Sequence, residues 1–218
     1  ECHSVYKKIV RCMYECSLFI YAYLLGAIPT ALWVSKLFFG IDIREHGSKN
    51  MGATNTFRVL GPAYGVFVLV VDMVKGWLAV ALANDMSVTD WMGNEIMLWQ
   101  LMLGLTAVVG HIFPVFAGFR GGKGIATLFG MVLAIQPVMA LVGVTVFVLV
   151  AMITRYISLA SLLGVLVFSL CAFFAVRDEH LYFRWFSAIA ALLVFIMHLP
   201  NLRRLLNGTE NKFRFPKK

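Results

Sequence analysis

Apolar runs of about twenty residues alternate along this chain with short polar connections. A helix needs about 20 mainly apolar residues to cross a hydrocarbon core of roughly 30 Å. Runs of that order lie at 17–39, 61–83, 96–117, 157–176 and 182–199. A longer run from Ile125 to Ile153 is interrupted at Gln136-Pro137. Proline lacks a backbone donor and clashes with the preceding turn, so this run predicts two short helices, 125–135 and 138–154, joined tightly. The pattern is that of an all-α polytopic membrane protein with about seven transmembrane helices. One integral-membrane domain covers 17–212. Residues 1–16 form a leader, either lying at the membrane interface or poorly ordered, and 213–218 form a basic tail.

Composition supports the membrane reading. The 218 residues are 61% hydrophobic and 14% charged, with a mean hydropathy of +0.83. Soluble domains carry about 45–50% apolar and about 25% charged residues. The net charge of +8 does not indicate a nucleic-acid partner, because the basic residues cluster at the ends of apolar runs. There they set topology and meet anionic lipid headgroups. Lys36, Arg44, Lys49, Arg58, Arg120, Lys123, Arg155, Arg203, Arg204, Lys212, Arg214, Lys217 and Lys218 fall on one side of the stack. Asp85, Asp90 and Glu95 fall on the other, with Arg177 and Arg184. The positive-inside rule makes the first side cytoplasmic, with the N-terminus outside and the C-terminus inside. Lys7, Lys8 and Arg11 strain that assignment; their charges reach headgroups if the leader lies along the interface. Cys2, Cys12, Cys16 and Cys171 complete no zinc pattern, and no metal site is expected.

Three polar islands fall on the basic side. "FRGGKGIAT" is a glycine-rich turn leading into a helix. Gly121, Gly122 and Gly124 free the backbone to curl around an anion, and the helix N-terminus adds partial positive charge. Lys123 and Arg120 supply full charges, though Gly124 stands where a Walker A loop has Ser or Thr. The plainer reading is a turn carrying topology-setting charges. "GSKNMGATNTFR" adds side-chain donors and acceptors: Ser48, Asn50, Thr54 and Asn55, with Gly47 beside them and Arg58 able to grip a phosphate with two hydrogen bonds. Helix capping accounts for part of this density. In "HLPNLRRLLNGTENK", His198 and Asn201 share a face if helix continues past Pro200; His198 is either an interfacial anchor or a catalyst. Within the spans, Asp72 and Lys75 of "VVDMVKG" are spaced to form an ion pair facing the bundle interior. His111 either faces the site or bonds a neighbouring backbone.

Together "DIREHGSKNMGATN", "FRGGKGIAT" and the His198–Lys212 segment, with "LVVDMVKG" and "TRYISLASL" between them, resemble the acyl-phosphate-dependent glycerol-3-phosphate acyltransferases. This is the PlsY family of bacterial inner-membrane enzymes, and the likeness runs from about Leu24 to Lys212. The resemblance implies a seven-helix fold with its active site at the cytoplasmic face. It implies acyl transfer from a fatty acyl phosphate to the 1-hydroxyl of glycerol 3-phosphate, giving lysophosphatidic acid and phosphate. It carries over Ser48, Arg58, Lys123, His198 and Asn201 as the catalytic set, with Glu210 structural. Arg58 and Lys123 are expected to bind phosphate, and Ser48 and Asn201 to orient substrate oxygens. The proton goes either to His198 or to the donor's own phosphate. Gly47, Asn50, Thr54, Asn55, Arg120, Gly121, Gly122 and Gly124 are the expected substrate-binding surroundings. No cofactor is called for, since the donor is already activated. The chain departs from the family pattern at Lys49, where a glycine is usual, at Ala27, and at Arg120 in place of a lysine. If position 49 needs a positive φ, lysine costs about 1 kcal/mol or more there. A transporter for small phosphorylated anions shares the bundle and the basic loops, but its far side would be lined by Asp85, Asp90 and Glu95. An acyl-CoA-dependent acyltransferase of the His-x4-Asp type is excluded, because no histidine has Asp five positions later.

Overall fold

The computed structural model describes residues 2–84, 96–175 and 181–213. Asp85, Asp90, Glu95, Arg177, Arg214, Lys217 and Lys218, used above to orient the chain, lie outside the described residues. The described residues form ten α-helices and no strand. In order they are α1 (Cys2–Ala27), α2 (Thr30–Phe39), α3 (Ala53–Leu60), α4 (Pro62–Ala81) and α5 (Ile96–Ile112). They continue as α6 (Ile125–Ile135), α7 (Pro137–Thr154), α8 (Ile157–Ala175), α9 (Leu181–Met197) and α10 (Leu199–Leu206). Five helical segments are long and apolar enough to cross a membrane, and a sixth if α9 and α10 count as one span bent by 59°. The apolar helices α2 and α6 are shorter, at 10 and 11 residues. At 1.5 Å per residue, helices of that length reach about half-way through the hydrocarbon core.

The break at Gln136-Pro137 falls where the sequence indicates. α6 ends at Ile135, and α7 opens with Pro137 in its first turn, where the missing N–H costs nothing. The single run expected over 17–39 is corrected: Pro29 divides it into α1 and α2. A proline inside a helix leaves an upstream carbonyl without its donor. Here the Leu25 carbonyl, four residues before Pro29, accepts from the Ile28 N–H at 3.4 Å, and the Ile28 carbonyl accepts from the Thr30 N–H at 3.0 Å and from Lys75 Nζ at 3.1 Å. α1 also runs unbroken through most of the segment set apart as a leader, and its stretch Val5–Ala27 is a candidate span.

Asp72 and Lys75 form the expected interior ion pair, at 2.9 Å with both side chains buried. Asp72 also accepts from Thr30 Oγ1 at 3.2 Å, and His111 Nδ1 lies 3.8 Å from the same carboxylate. His111 Nδ1 is in turn 3.3 Å from Thr127 Oγ1. One buried polar network thus ties α4 to the α1–α2 break, to α5 and to α6. Around it the core divides into an apolar cluster centred on α5, α6, α8 and α9, and smaller clusters beneath α1 and α2. α7 stands at the edge, with Ala140 alone buried among its 18 residues.

Candidate active site

Residues 40–58 fold as a clasp. Asp42 accepts from the Arg44 backbone N–H, Nε and Nη2, and Arg44 Nη1 donates to the Ala117 carbonyl at 2.9 Å. The Arg44 guanidinium holds the Asp42 carboxyl down at about 2, and Arg44 is spent pinning this loop to the turn before the glycines. Asn55 is fully buried, and both its amide donors serve the loop, bonding the Ile43 and His46 carbonyls. Its Oδ1 accepts from the Ser48 N–H at 2.8 Å. These bonds fix the turn that presents Ser48. Lys49 closes the turn with its N–H on the His46 carbonyl, at a φ of 58°. That left-handed conformation costs a side chain about 1–2 kcal/mol, which glycine does not incur. Lys49→Gly is therefore expected to raise stability by about 1 kcal/mol, read as an increase in the thermal unfolding temperature.

The glycine-rich loop works differently from the expectation. The N–H groups of Gly121 and Gly122 bond the carbonyls of Ile112 and His111 at the end of α5. A Cβ on Gly121 would run into those carbonyls, and one on Gly122 into the His111 ring. The expectation that these two N–H groups curl around an anion is corrected: they satisfy the C-terminus of α5 and let the loop lie against it. Arg120 is exposed and, like Gly47, Gly121 and Gly122, stands outside the lining of the cavity described next. Past this point Gly124 begins α6 with no side-chain cap, so first-turn N–H groups remain for another partner. Lys123, Gly124, Ile125 and Ala126 line the cavity there.

At the α9–α10 bend, His198 precedes the new helix and Pro200 occupies its first turn. His198 Nδ1 lies 2.9 Å from the Val194 carbonyl. A carbonyl only accepts, so Nδ1 carries a proton and Nε2 is left with its lone pair in the neutral ring. Asn201 is held at both ends. Its Nδ2 donates to Glu210 Oε1 at 2.6 Å, and its Oδ1 accepts from Lys123 Nζ. Glu210 also accepts from Ser158 Oγ at 2.7 Å and from Arg204 Nε at 2.7 Å. Burial disfavours its charge, but the hydrogen bonds from Asn201, Ser158 and Arg204 outweigh burial and hold its pKa low.

Ser48, Arg58, Lys123, His198 and Asn201 all line a single cavity of about 410 Å³, as do Asn50, Thr54, Asn55 and Gly124. Arg58 is exposed, and its side chain hydrogen-bonds no described residue. Burial pushes the Lys123 ammonium down to about 8, with Glu210 opposing the shift and Arg204 adding to it. The charged form then prevails below about pH 8 and is lost above it. For an anionic substrate, kcat/KM of the free enzyme is expected to fall about tenfold per pH unit above that point. Lys123→Arg, charged throughout, is expected to move the decline to higher pH in the same profile.

From this basic end the cavity continues as an apolar groove between α6, α7 and α8, walled by Leu128, Phe129, Val132, Val144, Phe147 and Val165. Sequence reasoning did not assign this groove. It also did not assign Ser158, which meets the site through Glu210; its place in "TRYISLASL", just after Arg155, was the available signal. Asp72 and His111 reach the cavity as well, from below.

An all-helical bundle with a cavity that joins basic and apolar surfaces fits the class of integral-membrane enzymes that handle a charged headgroup and a fatty chain together. Comparison with known proteins makes the class specific. The family model described as glycerol-3-phosphate acyltransferase matches residues 16–208. The glycerol-3-phosphate acyltransferase of Geobacillus kaustophilus is 44% identical, the match covering 90% of this chain and 95% of that protein. The enzyme of the same name from Fusobacterium nucleatum is 41% identical, covering 90% of this chain and 96% of that one. The crystal structure of PlsY (YgiH), an integral membrane glycerol 3-phosphate acyltransferase, in its glycerol 3-phosphate form aligns with a TM-score of 0.80 at 36% identity. That alignment covers 92% of this chain and 96% of the other; the lysophosphatidic acid form aligns with a TM-score of 0.78. The chain belongs to the glycerol-3-phosphate acyltransferase family.

Proposed function

We propose that this chain transfers a fatty acyl group from an acyl phosphate to the 1-hydroxyl of glycerol 3-phosphate. The products are 1-acylglycerol 3-phosphate and inorganic phosphate, and the reaction opens phospholipid synthesis. The observation that carries the reading is the continuity of the cavity: Arg58 and Lys123 at one end, an alkyl-lined groove at the other. Its relatives are named for glycerol 3-phosphate as acceptor, and an acyl phosphate is a donor whose polar end is a bare phosphate suited to the remaining cationic surface. The basic loops face the cytoplasm of a bacterial cell, in its inner membrane, where both substrates reach the site.

In this reading the two phosphates sit against Arg58 and against Lys123 with the uncapped start of α6. Ser48 and Asn201 orient the glycerol oxygens. The 1-hydroxyl attacks the acyl carbonyl carbon, the C–O bond to phosphate breaks, and the phosphate leaves with that bonding pair. The hydroxyl proton passes to His198 Nε2, the ring nitrogen with the free lone pair. Binding both substrates in one cavity supplies proximity, and the fixed cations offset charge that builds on the leaving group. His198→Gln, which keeps a polar side chain without a basic nitrogen, is expected to lower kcat about 10²–10⁴-fold with little change in KM.

The test uses the full chain purified in detergent micelles, with palmitoyl phosphate and labelled glycerol 3-phosphate and no added metal. Labelled lysophosphatidic acid is the expected product. Turnover with palmitoyl-CoA and none with palmitoyl phosphate would overturn the donor assignment.

A further inference from the structure

The apolar groove has a built end. On α8 its lining begins near Ser158, beside Glu210 of the polar site, and stops at Phe168. Those ten residues advance about 15 Å along the helix axis. An extended alkyl chain, with C–C bonds of about 1.5 Å, covers that depth in about a dozen carbons. The Phe168 ring cannot swing aside freely. It meets Phe183 edge-on at 6.1 Å, Phe183 is fully buried, and Phe183 packs on Phe186 at 5.8 Å.

The same level is narrowed from the side. α7 and α8 cross at Gly143 and Gly164, both of which line the cavity. A Cβ on Gly164 would lie 2.8 Å from the Gly143 carbonyl oxygen, and one on Gly143 would lie 3.3 Å from Phe168 Cβ. Backbone contact at this crossing fixes the slot above the ring, and Ala140 of α7 is buried one turn further on.

Resting on the acyl-phosphate reading above, we propose that Phe168 and the Gly143–Gly164 crossing are the chain-length ruler of this enzyme. Carbons up to about the twelfth lie in the groove, and later carbons must turn at the ring. Each methylene buried is worth about a fourfold gain in binding, so kcat/KM climbs with chain length until the ring is reached and flattens beyond it. Phe168→Ala opens the end of the groove, and Gly143→Ala closes the slot above it.

The experiment measures kcat/KM for acyl phosphates of eight to eighteen carbons in micelles of fixed composition, for the wild type and both variants. The readout is the ratio between chain lengths within each protein, which a general loss of activity leaves unmoved. Phe168→Ala is expected to raise the ratio of sixteen- to twelve-carbon donors about tenfold, and Gly143→Ala to lower the ratio of twelve- to eight-carbon donors by a similar factor. Phe168→Leu, closer in volume, gives the first comparison if the alanine variant does not fold. Active variants with an unchanged length profile would overturn the ruler and leave the donor assignment standing. Absence of turnover with every acyl phosphate, in the wild type too, would instead overturn the donor reading on which the ruler rests.

Discussion

Lys123→Ala is expected to reduce acyl transfer by about three orders of magnitude while the protein elutes and unfolds as the wild type does. The size follows from what the ammonium meets. Lys123 is mostly buried, stands beside the uncapped start of α6, and is aimed by Asn201, which Glu210 holds in turn. A fixed charge in a water-poor site, placed where negative charge develops, is worth about 10²–10³ in kcat and more when it also binds the substrate. The fold does not depend on it, since Lys123 bonds one side chain and packs in no apolar cluster. The check is turnover with saturating acyl phosphate, alongside size-exclusion elution and thermal unfolding. Activity within tenfold of the wild type would remove Lys123 from the phosphate site.

Asp72→Ala is expected to act on stability, with a loss of about 3–5 kcal/mol, because it leaves the Lys75 ammonium buried without its counter-charge. Lys75 would retain only the Ile28 carbonyl, and Thr30 would lose its acceptor at the α1–α2 break. The double variant Asp72→Leu with Lys75→Met is expected to be more stable than Asp72→Ala, with a coupling of about 1–3 kcal/mol between the two positions. Thermal unfolding in detergent of Asp72→Leu, Lys75→Met and the double variant measures that coupling. Additive losses would show that the pair does not act as a unit.

Much of this architecture is legible in the sequence, because a membrane span is a local property: a run of apolar residues is read as a helix whatever surrounds it. The junction at Pro137 is legible for the same reason. Pro29 escaped that reading because its run has the length of a single span and Ile28 stands before it, where polar Gln136 stands before Pro137; only the fold shows the freed Leu25 carbonyl taken by the Ile28 N–H and the Ile28 carbonyl taken by Thr30 and Lys75. The site divides likewise. Ser48, Arg58, Lys123, His198 and Asn201 stand out by residue type and motif, and they line one cavity. What each polar group is spent on did not show. Gly121 and Gly122 looked like anion donors, but their N–H groups face α5. Asn55 looked like a substrate ligand, but its donors serve the loop.

By itself, then, the sequence determined that the chain enters a membrane as helices, which connections are basic, and which side chains it offers for the chemistry. Hydropathy, charge and residue type are properties of short segments. Only the tertiary structure decided which of those groups are free to meet a substrate. The deciding contacts join distant positions: Lys123 with Asn201, 78 residues apart, and Ser158 with Glu210, 52 apart. The apolar groove belongs to the same class, being a space between α6, α7 and α8 with no single segment to encode it. Each buried donor and acceptor must find a partner, and the packing of the helices decides whether that partner is the protein or the substrate.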